Sequence, residues 1–188
     1  MPDDRVLRTD AMVLKTVEAV LKSEDLILAI SKMIAEKIDN KIEQLANAYQ
    51  QKQYSRRNSL RIYGLPLVSN ENTDDTVIRF CKEKLQLEIK KEMIDCSHRL
   101  GKDENRSKPL LVKFVNRNIK NEIYRKKSKL KGTKLVIRED LTLKNIQLMK
   151  SARDKFNTAW TNNCNIFTKV NGKIYKIGSY SDINNIKK

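Results

Sequence analysis

Residues 117–134 hold eight Lys/Arg and a single acidic residue. Cations at that density suit the neutralisation of phosphates, with release of the counterions condensed on them. Nothing comparable exists for catalysis. There is no glycine-rich phosphate loop ending in Gly-Lys-Ser/Thr and no Gly-x-Ser-x-Gly elbow. His98 is the sole histidine, which argues against the usual nucleophile–base–acid triads. Cys81, Cys96 and Cys164 lie far apart, without a Cys-x-x-Cys pair, so a Cys/His zinc site is excluded and a disulfide scaffold is not expected. The adjacent acids Asp74-Asp75 and Glu139-Asp140 read as carboxylates at caps and helix starts. The residues point to binding, not to an enzyme, with no metal and no cofactor.

The positive charge is segregated. Residues 1–53 carry eight Lys/Arg against nine Asp/Glu, a balance of −1; residues 54–188 carry 31 against 14, a balance of +17. Such a body attracts polyanions over about a Debye length, ~8–10 Å at physiological salt. Met1 is followed by Pro-Asp-Asp-Arg, not by an apolar signal region, and no window reaches the length of a membrane span. The expectation is an intracellular protein, in cytoplasm and/or nucleus, with no membrane partner.

What must position the cations is a helix followed by a basic body. Residues 13–53 lack glycine and proline, and Ile27, Ile30, Ile34, Ile38, Ile42, Leu45 and Tyr49 recur at spacings of 3, 4, 4, 4, 3 and 4. This is one narrow apolar stripe on a helix with polar flanks, the pattern of a self-associating coiled coil, dimer or trimer. A break or a second short helix near Ser23-Glu24-Asp25 and a hinge over residues 51–58 are expected.

The rhythm then changes. A strand from Leu60 ends in a Gly64/Pro66 turn, Asn72 to Asp75 offer N-caps for a helix through Leu87, and a weak strand covers residues 96–100. A polar loop leads to the clearest strand, residues 110–115, then a basic helix over residues 118–130 stopped by Gly132, then a strand at 135–138. The order β-α-β-β-α-β is the split unit of ferredoxin-like and RNA-recognition folds. Alternation turns Leu60 and Ile62 inward and Arg61 and Tyr63 outward, with Lys113, Val136 and Arg138 also outward. Arg61, Tyr63, Lys113 and Arg138 would therefore share one open sheet face, Tyr63 able to stack a base. A helix from Thr142 to about Trp160, burying Ile146, Met149, Phe156 and Trp160, precedes a hairpin whose Asn171-Gly172 suits a type I′ turn. The expectation is thus α+β in three parts: an oligomerisation helix (1–53), an RNA-recognition-like domain (54–140) and a small α/β C-terminal domain (141–188).

The order of "RRNSLRIYGLP", "DCSHRLG", "KPLLVKF", "LKGTKLVIREDLT" and a Trp-containing tail resembles the first-open-reading-frame proteins of LINE-type retrotransposons. The "LKGTKLVIREDLTLKN…ARDKF" stretch also resembles the C-terminal domain of the baculovirus few-polyhedra protein and its insect relatives. The first resemblance implies an oligomeric RNA chaperone, in which an unusual RNA-recognition domain and a C-terminal domain together clamp single-stranded RNA or DNA. It implies contacts at Arg56, Arg57 and Arg61, at Arg99 and Arg106, at Lys113, at Arg125, Lys126, Lys127, Lys131 and Lys134, and at Arg153. The second implies a rival reading, a coiled-coil scaffold whose basic surface meets acidic proteins.

Overall fold

The computed structural model describes residues 4–21, 23–101 and 108–187 and divides into two compact units, Met1–Gln50 and Gln51–Lys188. The chain is α+β, with a long N-terminal helix and antiparallel sheets. In the first unit, helix α1 spans Asp4–Leu21, and α2 runs from Glu24 within Glu24–Ser55. Ser23 starts α2: its hydroxyl accepts from the Leu26 N–H at 3.4 Å and its carbonyl from the Ile27 N–H at 3.1 Å. Glu24 and Asp25 put negative charge at the positive end of the helix dipole. The seven stripe residues are 45–59% exposed, and α2 has no buried residue.

In the second unit, residues 51–55 of the segment expected as a hinge form the last turn of α2, which reaches Ser55. The Gln53 side chain donates to the Asp140 carbonyl at 3.0 Å and accepts from the Thr142 N–H at 2.8 Å and from Asn145 at 3.0 Å. Strand β1 (Ser59–Tyr63) follows, then α3 (Thr73–Leu85), β2 (Ile94–Arg99), β3 (Leu110–Phe114), α4 (Arg117–Arg125) and β4 (Val136–Glu139). The four strands pair antiparallel in the order β2-β3-β1-β4. Asn72 caps α3 by accepting from the Asp74 and Asp75 N–H groups. Alternation turns Leu60, Ile62, Leu110, Val112 and Phe114 inward against Val77, Phe80, Leu85 and Ile123 of the helices. Each such large side chain taken from water contributes about 1.5–3 kcal/mol. The expected helix over 118–130 is α4 only to Arg125 and continues as a 3₁₀ segment, Lys126–Leu130.

Gly64 ends β1 at φ +85, and a Cβ there would collide with the Lys134 carbonyl. Glycine is required on both counts, and the close approach seats the segment leading into β4 beside β1.

Beyond β4 lie α5 (Leu143–Phe156), β5 (Trp160–Asn162), β6 (Asn165–Val170), β7 (Lys173–Ile177) and α6 (Tyr180–Asn185). The three strands form a second sheet in chain order. Its core holds Leu148, Ala152, Phe156, Ile166, Val170, Ile177 and Ile183. This corrects the expected helix face: α5 stops at Phe156 because Asn157 turns left-handed at φ 62, so Trp160 lies on a strand. The buried stripe is Leu148, Ala152 and Phe156 at i, i+4 and i+8, which leaves Ile146 43% exposed. Asn171-Gly172 makes its expected turn, with φ 49 and 81. A second tight turn, Asn163-Cys164, also has both φ angles positive, 52 and 62, and creates β5. Helix α6 opens on a capping box between Ser179 and Asp182.

Candidate functional site

A cleft of about 760 Å³ opens between the two sheets' neighbourhoods in the second unit. One wall is the outward side of β1 and β4 and the turn before β4; the other is α5 with β5. Six cationic side chains line it: Arg61, Lys127, Lys131, Arg138, Lys150 and Arg153. Two acids, Glu139 and Asp154, lie among them. Three aromatic residues complete the wall: Tyr63, Tyr124 and Trp160.

The local chemistry begins at the end of β4, where alternation sends adjacent acids opposite ways. Glu139 points inward and forms a fully buried ion pair with Lys120 of α4, while its second oxygen accepts from the Cys164 N–H at 3.0 Å. Its charge is therefore matched inside the protein. Asp140 accepts from Arg61 Nε at 2.6 Å and from Arg56 Nη1 at 3.3 Å. Glu139 and Asp140 are thus not helix-start carboxylates, as their adjacency suggested. They are the anchors of β4. Arg61 stands directly opposite Arg138 in the β1–β4 register, a like-charge pair that repels, and Asp140 neutralises the Arg61 side of it.

Around the rim, the Lys127 ammonium sits 3.7 Å from the centroid of the Tyr124 ring, and the Tyr124 hydroxyl lies 3.0 Å from Thr161 Oγ1 of β5. The Arg138 guanidinium is 5.3 Å from the Tyr63 ring centroid. Arg153 donates to the Ala159 carbonyl at 3.3 Å, and the Trp160 ring stacks on Phe167 with centroids 6.2 Å apart. Among the described residues, none of Lys127, Lys131, Arg138, Lys150 and Arg153 belongs to an ion pair.

Of the residues picked from sequence, Arg61, Tyr63, Lys127, Lys131, Arg138 and Arg153 meet in this cleft. The others among the described residues do not line it. Arg99 is nearly buried and directs all its donors inward, to both Glu71 oxygens and to the carbonyls of Leu65, Pro66 and Lys108 at 2.8–3.1 Å. That network holds the loop after β1, and its hydrogen bonds pull the Glu71 carboxyl below its ordinary pKa. Lys113 pairs with Asp95 at 2.5 Å, a bond that raises the ammonium's pKa. Arg56 leans on Asp140, and Arg57 stacks 3.6 Å over the Tyr54 ring. Lys126 donates to the Gln86 carbonyl at 3.2 Å, at the end of α3. Arg125 and Lys134 are exposed outside the cleft, and Arg106 lies outside the described residues. The sequence reading missed Tyr124, Lys150 and Trp160. The first was hidden inside a run read for its lysines, and the last was assigned to a helix core.

No group of three or more His, Cys, Asp or Glu side chains among the described residues could hold a metal ion, and no described helix is long and apolar enough to cross a membrane. In comparisons with known proteins, no family model matches this chain and no curated protein matches it.

Proposed function

We propose that this chain is a non-enzymatic protein that binds single-stranded nucleic acid, RNA in preference, with little regard to sequence, and that it self-associates through the stripe on α2. The observation that carries the reading is the cleft, which five cations outside any ion pair among the described residues line together with part-exposed aromatic rings. Cations of that kind neutralise phosphates wherever they lie along a strand, and rings stack on any base, so the combination favours strand binding without base reading. The antiparallel order β2-β3-β1-β4, with α3 and α4 packed on one face, supports a ferredoxin-like, RNA-recognition-type domain. The half-exposed isoleucines of α2 support self-association, because an isolated helix has no surface of its own on which to bury them.

The test is fluorescence anisotropy of a labelled single-stranded RNA with the full chain, titrated with salt. Lys131→Ala with Arg138→Ala should weaken binding and reduce the slope of log affinity against log salt by about one for each phosphate no longer neutralised. Arg61 and Lys113 are poorer choices, since Asp140 and Asp95 already hold them. An unchanged slope would remove the cleft from the account. Equal, weak binding to single-stranded RNA, duplex DNA and heparin would favour the scaffold reading instead.

A further inference from the structure

We infer that Trp160 is a stacking platform for an unpaired base, so that the C-terminal part contacts bases and does not merely clamp phosphates; this rests on the nucleic-acid reading above. Trp160 is the chain's only tryptophan, yet it is not part of the second core. That core is built from Leu148, Ala152, Phe156, Ile166, Val170, Ile177 and Ile183, and the residues packed against it do not include Trp160. Along β6, alternation sends Ile166, Thr168 and Val170 into the interior, and Phe167 to the opposite face. Trp160 is paired with Phe167 in the β5–β6 register, and the two rings stack at an interplanar angle of 24°. Phe167 therefore backs an indole that stays part-exposed and lines the cleft.

The neighbours suit a nucleotide. Arg153 is bonded to the carbonyl of Ala159, immediately before Trp160, and Lys150 lies on the same cleft wall one turn earlier on α5. Lys127 and Tyr124 also line the cleft, the latter held to Thr161, the residue after Trp160. Cations thus share one cleft with the ring, as the phosphates next to a stacked base would require. An indole adds little to the capture of a polyanion that presents no aromatic face, such as heparin. It adds affinity only when the ligand brings an unstacked aromatic face, and that favours single strands over duplexes.

Because the chain has one tryptophan, its emission reports on this position without any substitution. With the full chain, a labelled single-stranded RNA should quench Trp160 emission in parallel with the rise in its own anisotropy. Heparin, at concentrations that displace the RNA, should not quench. Trp160→Ala should lower RNA affinity by roughly 5- to 150-fold, leaving heparin affinity unchanged, and Trp160→Phe should lose less than Trp160→Ala because it keeps a ring. Saturated anisotropy with unchanged emission, or equal quenching by heparin, would overturn the base-stacking role while leaving the proposed function standing. No RNA binding at all would overturn both.

Discussion

A guanidinium carries five N–H donors, and at Arg99 the fold uses them all on Glu71 and on three backbone carbonyls. Such a residue organises a loop and has nothing left for a phosphate. Its partner records the arrangement as a pH dependence. The Glu71 carboxyl is held below its ordinary value near 4.5, chiefly by its hydrogen bond with Arg99. A depressed folded pKa means stability that is present above the unfolded value and lost as pH falls through the folded one. We therefore expect Glu71→Gln to be less stable than the parent at neutral pH, with the gap closing below about pH 4.5. Urea midpoints measured from pH 7 down to pH 3 would show this, and a gap constant across that range would contradict it.

At the level of elements, β4 ties the second unit together. Its Glu139 joins α4 through Lys120 and the β5–β6 turn through the Cys164 N–H. Removing one partner of a buried pair strands the other charge, which costs more than the pair itself contributes. Lys120→Met should therefore destabilise the protein by about 3–5 kcal/mol, and adding Glu139→Gln should restore part of the loss. Urea unfolding measures both. A loss from Lys120→Met below about 1 kcal/mol would mean that the Glu139 charge finds other relief. The same change should speed amide exchange at Cys164, whose backbone is held at φ 62 within a turn that this carboxylate supports.

At the scale of the molecule, the proposed function gives the near-neutral helices and the basic body separate tasks. We expect substitution of Ile34→Asp together with Ile38→Asp to reduce the mass found by light scattering to that of a monomer, because charge on the stripe opposes its burial against another copy. Affinity for long single strands should fall with it, since linked sites gain roughly 10²- to 10⁴-fold from multivalency. Affinity for a short oligonucleotide filling one cleft should change little. An unaltered mass would show that the stripe is not the seam.

The local elements were largely legible in the sequence, because their causes are local. Alternation over residues 59–63 and 110–114, the cap at Asn72 and the Asn171-Gly172 turn are each set by neighbours a few residues away. The narrow stripe on α2 was legible for the same reason. Strand β5 was not, because its turn puts a cysteine at positive φ, with its N–H held by the distant Glu139 carboxylate. The site was half legible. Composition showed a basic body, but not which cations the protein keeps for itself. Arg99 meets Glu71 across 28 residues of sequence, and Arg61 meets Asp140 across 79. Only the folded sheet brings such partners together, and so only the tertiary structure separated the cations that hold the fold from those left facing the cleft.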